Sequence, residues 1–367
     1  MNKRILAALL ALGVLATSNA FASRARDLVM GSGDAGNAIQ NGSLYYDTAY
    51  NIFYNPSYVN DFKNWATIEK SNSPGTTAEG GFVIGAMNLN LGVYLNRTSG
   101  ITGVTNEALT HTGVANYRPI DLIAGGEMGN MKWGFGLTYG SVDAPGATPP
   151  ANGRDLTLRA GLQVMELDPY ISYKVLGGDN AGGGAAATTS FKDINVGTRY
   201  HYGEWVPYAD YHHMSDNTDG SSANPSENAW GFGLGRNVKV ADGVSMNYAI
   251  SYWRDSLNNN TGAAGNYVEN TIPINLSLEG DATGWLTLRA GLQYRLYDKK
   301  TGTGTVADAT NGRIGATVHV KKVDFDWAVG TDNGGAEAAA ETATQTDKQA
   351  FSIGGGFFTA AALNYHW

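Results

Sequence analysis

Asp210, His212 and His213 are the residues best equipped for chemistry. A histidine base needs a nucleophile or water within hydrogen-bond reach, and usually a carboxylate that orients it. Asp210 and His212 are two apart and so share one face of a strand. No serine partner stands beside them in the sequence, so hydrolysis lacks its nucleophile. Asp216-Asn217-Thr218-Asp219-Gly220 offers oxygen ligands of the kind Ca²⁺ takes, but the distant bidentate glutamate of a full calcium loop is missing. A solvated turn accounts for it. Gly31-Ser32-Gly33-Asp34-Ala35-Gly36 fits the G-x-G-x-x-G spacing, which binds dinucleotides only after a buried strand and within a βαβ unit. That context is absent here. The 367 residues contain no cysteine, so disulfides and thiolate metal sites are excluded. No catalytic, metal or cofactor-binding residue is assigned, and no cofactor is required.

The elements that would carry these residues read as strands. Ile120, Leu122, Ala124, Gly126 and Met128 form one apolar face, Gly129-Asn130 a tight turn, and Trp133, Phe135, Leu137 and Tyr139 continue that face. Lys132, Gly134, Gly136 and Thr138 oppose it. The design recurs in Ile194 to Tyr200, Trp205 to Tyr211, Val244 to Tyr252, Ile272 to Leu278, Leu286 to Leu296, Ile314 to Val320 and Val323 to Val329. Lipid on one side and water on the other would select such alternation.

Both ends of the chain name the same compartment. Lys3 and Arg4, the apolar Ile5 to Leu15, and Ala20-Phe21-Ala22 make a cleavable secretion signal over residues 1–22, so the mature chain is expected to start at Ser23. No later run of 18 apolar residues exists, so only a closed barrel could span a bilayer. Removing the signal leaves 23 basic and 33 acidic residues, a formal charge of −10 that disfavours nucleic acid as a partner. At the other end, Phe357, Thr359, Ala361, Leu363, Tyr365 and Trp367 alternate with small or polar residues, in a register that runs back to Phe351. This resembles the C-terminal sorting signal of Gram-negative outer-membrane barrels. The resemblance implies an insertion signal at Phe357, Leu363, Tyr365 and Trp367, read by the barrel-insertion machinery.

Connections alternate between short and long. Short turns fall near Asn88, Gly129, Leu167, Gly203, Asp242, Asp281 and Lys321, and polar stretches near 71–78, 97–118, 141–153, 177–189, 214–227, 255–266, 298–310 and 332–347. Seven turns and eight loops give an all-β, antiparallel up-and-down barrel of sixteen strands over residues 63–367, with fourteen as the alternative if the first two fail. Trp133, Trp205, Trp285 and Trp367 would form an aromatic girdle at the short-turn end, and Tyr139, Trp230, Tyr252 and Tyr267 one at the other. Register places Asp121, Glu127, Lys132, Arg159, Gln163, Lys174, Asp210, His212, Glu279, Arg289, Gln293, Arg295, Arg313, Asp324 and Asp326 on the pore-lining face. Asp143, Asp179, Asp216, Asp219, Asp255, Asp308, Asp332, Glu337, Glu341 and Asp347 make the long loops acidic, which predicts a mild cation preference. Asp143-Ala144-Pro145-Gly146, in the third long loop, faintly resembles the acidic constriction motif of general porins.

Residues 23–62 do not alternate. Arg26 to Ala38, then Ala49 and Phe53-Tyr54-Asn55-Pro56, resemble the Gly/Ala-rich lead and Asn-Pro-Ala motif of fatty-acid-transporter-like barrels, with Ser57 in place of the alanine. The resemblance implies a plug role for Asn55 and Pro56; a short periplasmic lead packed at the barrel base is the alternative. One octapeptide, Leu156 to Gln163, recurs identically at Leu286 to Gln293. The topology puts the two copies on strands seven apart, hence of opposite sense, so we read them as two strands under one lumen/lipid demand rather than a duplication.

The sequence therefore reads as an outer-membrane porin for passive diffusion of small hydrophilic solutes and ions, with a homotrimer as the expected assembly. Lipids and lipopolysaccharide would surround it. The alternatives are a plugged barrel carrying hydrophobic ligands and a structural or adhesive barrel.

Overall fold

The computed structural model describes residues 23–31, 42–71, 78–97, 119–144, 151–180, 188–218, 224–258, 266–302, 310–332 and 356–367. The expected signal segment and the tips of the long loops lie outside them. Sixteen strands follow one another: β1 Trp65–Ser71, β2 Glu79–Ala86, β3 Leu89–Leu95, β4 Ile120–Met128, β5 Met131–Ala144, β6 Ala151–Val164, β7 Tyr170–Asn180 and β8 Thr188–Arg199. The second half comprises β9 Trp205–Thr218, β10 Ser226–Ala241, β11 Val244–Asn258, β12 Tyr267–Thr283, β13 Leu286–Gly302, β14 Thr310–Val320, β15 Val323–Asp332 and β16 Gly356–His366. Each pairs antiparallel with its sequence neighbours, and β16 closes on β1 from Trp65 opposite His366 to Ser71 opposite Ala360. The barrel has no free edge, so every strand finds its backbone partners within the wall.

Short turns all lie at one end. Met87, Gly129, Met165, Gly203, Gly243 and Lys321 take the left-handed φ such turns need. One turn differs from expectation: β12 continues past Asp281 to Thr283, so the reversal is at Gly284-Trp285 and Trp285 sits in the turn itself.

Burial is inverted relative to a water-soluble protein. Ile68, Phe82, Leu122, Phe135, Leu158, Ile250, Leu288 and Phe325 are exposed on the outer face, while Asp121, Arg159, Arg199, Asn275, Arg289 and Asp326 are buried on the inner one. Trp205, Trp285 and Trp367 are exposed at the short-turn end, and Trp133 packs half-buried on Phe135. Tyr139 and Trp230 face outward near the other end, with Tyr252 tilted against both Trp230 and Phe232. Tyr267 is the exception to the expected girdle. It shares the inner face with Thr271 and Asn275, and its hydroxyl donates to Asp255 at 2.8 Å.

Strand lengths are uneven, from 7 residues in β1 and β3 to 17 in β12 and β13. A bilayer needs only about 9–11 residues per strand, so the longer strands continue past it. Asp255, expected in a loop, consequently lies within β11 on the inner face and is buried. Asp143, Asp179, Asp216 and Asp332 likewise belong to strands. In β13 the pairing shifts by one residue between Tyr297, opposite Ile272, and Arg295, opposite Pro273. This bulge lets Arg295 and Asp298, three apart, both point inward and pair.

Candidate functional site

The inner face is covered from within by the segment before β1. Its first part is α1, Arg24–Met30, started by Ser23, whose Oγ accepts the Arg26 N–H at 3.2 Å, and stopped by Gly31 at φ 96°. Gly31 thus closes a helix instead of opening one, which removes the dinucleotide reading. Ala25 and Val29 bury themselves against Ala328 and Ala360. A side chain on Gly291 would collide with the Val29 carbonyl, and one on Gly315 would sit 2.9 Å from Val29 Cγ2. Polar contacts hold the helix on both sides. Arg24 Nη1 pairs with Glu79 at 2.7 Å, and its backbone N–H donates to Glu69 at 2.8 Å. Arg26 makes a two-pronged contact with Glu279 at 2.8 and 3.0 Å, and Arg289 holds the same carboxylate. Arg313 Nη1 donates to the Leu28 carbonyl at 2.7 Å.

Asp27 points into this packing. Thr48 and Tyr46 donate to its Oδ1 at 2.7 and 3.4 Å. Burial pushes its carboxyl up to about 7, against the opposing pull of Arg26 and these hydroxyls; Asp326 adds to the rise.

The second part, residues 42–62, winds through two 3-10 turns, Ala49–Phe53 and Pro56–Asn60. Asn55 caps the latter: its Oδ1 accepts from Ser57 N at 3.2 Å and from Ser57 Oγ at 2.6 Å, with Pro56 at the first turn position. Serine therefore fills the third motif position with a hydrogen bond that alanine could not make. The turn is pressed against glycines of the wall. Asn55 occupies the space over Gly161, the Pro56 carbonyl that over Gly134, and Val59 Cγ1 lies 2.5 Å from where a Gly125 Cβ would stand. Tyr50, Ile52, Phe53, Tyr58 and Val59 join Trp65, Val83, Tyr94 and Ile123 in one apolar cluster. Tyr45 and Tyr54 join Tyr170, Tyr208 and Trp253 in another. Arg199, completely buried, donates to the carbonyls of Ser43 and Tyr46 at 3.2 and 3.1 Å and pairs with Asp47 at 2.7 Å and Asp168 at 2.9 Å. Arg159 Nη1 donates to the Phe53 carbonyl at 2.5 Å. Asp61 takes Lys132 and, at 2.7 Å, Gln163.

Apart from Glu127, the charged and amide residues expected on the pore face make contacts of two kinds. Lys132, Arg159, Gln163, Arg289 (through Glu279) and Arg313 meet the lead. The rest pair along the wall. Asp121 is held by Arg97 and Arg159, Lys174 by Asp155 at 2.5 Å, and Asp326 by Asn364 at 2.8 Å. Gln293 accepts from Asn311, Arg295 pairs with Asp298 and Glu269, and Asp324 lies between His319 and His366. Glu127 stands exposed at the short-turn end, opposite Lys132 in register. Asp210 and His212 do not form a dyad: Asp210 accepts from Tyr170 and Asn195, and His212 pairs with Asp193 at 2.7 Å. Among the described residues no group of three or more His, Asp or Glu could hold a metal ion. At the C-terminus Leu363, Tyr365 and Trp367 are exposed on the outer face, and Phe357 lies in β16.

Two sets of residues escaped the sequence reading. Arg199 falls inward from the alternation of Ile194, Val196, Thr198 and Tyr200, yet it was not among the pore-facing residues. The wall glycines Gly125, Gly134, Gly161, Gly235, Gly291 and Gly315 each face an atom of the lead, which alternation alone does not show. The repeated octapeptide gains a meaning from this. Its copies lie on β6 and β13, seven strands apart and opposite in sense, and in each the single glycine receives the lead.

No protein-family model matches the chain, and no curated protein matches it in sequence. Among solved structures it is similar to CdiB from Acinetobacter baumannii, at 11% identity over 83% of this chain and 60% of that one, with a TM-score of 0.45. OmpT, an outer membrane protein of Vibrio cholerae, matches at 12% identity over 83% and 95%, TM-score 0.37. A mutant of the Rh. blastica porin matches at 11% identity over 83% and 98%, TM-score 0.31. The aligned region thus spans less than two thirds of CdiB. The barrel assignment rests on the closed hydrogen-bond ladder of the chain itself, not on these matches.

Proposed function

We propose that this chain is an outer-membrane channel held closed at rest by its own residues 23–62, which passes small hydrophilic solutes when that lead withdraws. The observation that carries the reading is the fit between lead and wall. Six inward glycines leave room for it, and Arg159, Arg199 and Arg313 donate to its carbonyls. A permanently open pore would have no use for glycines facing a lead. Hydrophilic cargo follows from the inner face, where aspartate, asparagine, threonine and arginine dominate. In the membrane, the exposed apolar face meets lipid, and the short turns and Trp367 face the periplasm.

A cysteine pair provides the test, since the chain has none of its own. Val59→Cys with Gly125→Cys joins the lead to β4, because Val59 Cγ1 already stands where the second sulfur would reach. Liposomes carrying the full-length double variant should swell in sugar solutions when reduced and stop when oxidised. Equal swelling in both states would overturn closure by the lead; no swelling in either would overturn transport. One observation favours an apolar cargo instead: Phe191, Met214 and Ala229 form a buried apolar cluster on the inner face. That reading predicts binding of an apolar fluorophore that Met214→Glu abolishes.

A further inference from the structure

Besides its side-chain pairs, the lead is held by five of its backbone carbonyls. Arg199 reaches the carbonyls of Ser43 and Tyr46, Arg159 that of Phe53, and Arg313 that of Leu28. Asn237 Nδ2 adds a fifth, the Tyr45 carbonyl at 2.8 Å. Gly134 and Gly291 lie directly against the Pro56–Ser57 peptide unit and the Val29 carbonyl. Carbonyl oxygens and close backbone approach are common to all polypeptides and independent of sequence. Around these contacts Tyr170, Tyr208 and Trp253 offer aromatic surfaces, now covered by Tyr45 and Tyr54, to whatever side chains lie between the held carbonyls.

We infer that the seat of the lead is a peptide-binding site, so that short peptides are the hydrophilic cargo and the lead is an internal occupant competing with them. This rests on closure by the lead. Guanidinium groups also bind isolated anions, but Asn237 and the glycines select a polypeptide rather than an anion. Side-chain pairs, among them Arg24 with Glu79, Arg26 with Glu279, Asp47 with Arg199, Tyr58 with Asp168 and Asp61 with Lys132, are the lead's own advantage over a passing peptide.

Competition for the seat can be timed with the same full-length Val59→Cys, Gly125→Cys protein. The rate at which the disulfide forms under mild oxidation reports how often the lead is seated. We would add a synthetic peptide of residues 42–62, its scrambled version, a mixture of free amino acids of that composition, or inorganic phosphate. Both peptides should slow disulfide formation by about tenfold at saturation, within about threefold of each other, while the amino acids and phosphate leave it unchanged. Slowing by phosphate as strong as by peptide would show a charge site; slowing by the native peptide alone would show a private latch. Either result overturns the proposal, as does no slowing by any of them. If the disulfide forms and gates swelling while peptides have no effect, closure stands and only the peptide site falls. If it never forms, both fall.

Discussion

Gly134→Ala should open the channel. A Cβ on Gly134 would lie less than 3 Å from the Pro56 carbonyl group and the Ser57 nitrogen, all backbone atoms with no rotamer to retreat into. The lead must then move by roughly an ångström to restore ordinary contact. That shift strains the Asn60 Nδ2 hydrogen bond to the Trp133 carbonyl, at 3.0 Å, and lifts Val59 from the cluster in which it is fully buried. One hydrogen bond is worth about 1 kcal/mol, and fully burying a valine about 1.5–3 kcal/mol. Losing one bond and most of the valine burial weakens seating by about 3 kcal/mol, roughly a hundredfold in the open population. Gly312→Ala is the control, because its Cβ would meet nothing within 4 Å. Open probability in planar bilayers is the assay, with heat-modifiable electrophoretic mobility to show that each barrel has folded. A folded Gly134→Ala barrel that opens no more often than Gly312→Ala would refute the reasoning.

The seated lead should respond to pH through Asp27. Its carboxyl titrates near 7 when buried and near 3.9 when the lead is out in water. Seating is therefore fully favoured below about pH 4 and loses that contribution as pH rises through 7, so open probability should climb across this window and level off above it; Asp27→Asn should flatten the climb. The acidic long loops predict a reversal potential of the cation-selective sign that shrinks in high salt; an anion-selective value would contradict it. Trp367→Ala should lower the yield of assembled barrel in membranes without changing the conductance of the barrels that do insert. Arg199→Ala leaves Asp168 buried beside Tyr58 without its guanidinium and should loosen the lead further than Lys132→Ala, whose pair with Asp61 is half-exposed. Disulfide formation between positions 59 and 125 would show the order.

Strands were legible because a bilayer imposes a strict period. Outside faces lipid and inside faces water and polar wall groups, so Ile120 to Tyr139 or Ile314 to Val329 could hardly be read otherwise. Turn positions followed, except at Asp281, where β12 runs on because nothing in Gly280 to Thr283 forbids strand. Register alone also turned Asp121, Arg159 and Asp326 inward, though it left out Arg199. Their partners did not follow from it, since pairing depends on which strands curve together and on a lead that carries no period. Tyr267 was misplaced because tyrosine at a strand end suits an outer girdle and an inner hydrogen bond equally; the acceptor, Asp255, had been assigned to a loop. The Asn55-Pro56 turn was legible as a motif, but its seat was written in glycines, and a glycine in a strand says only that something comes close.

A single channel recorded before and after reduction tests closure most directly. The full-length protein would carry Val59→Cys with Gly125→Cys and Val29→Cys with Gly315→Cys, so that both parts of the lead are tied to the wall. The account predicts a silent bilayer while the pairs are oxidised and ohmic steps in that same bilayer once reductant reaches the short-turn side. Steady large steps before reduction would contradict the claim that the lead closes this barrel; continued silence after it would contradict transport.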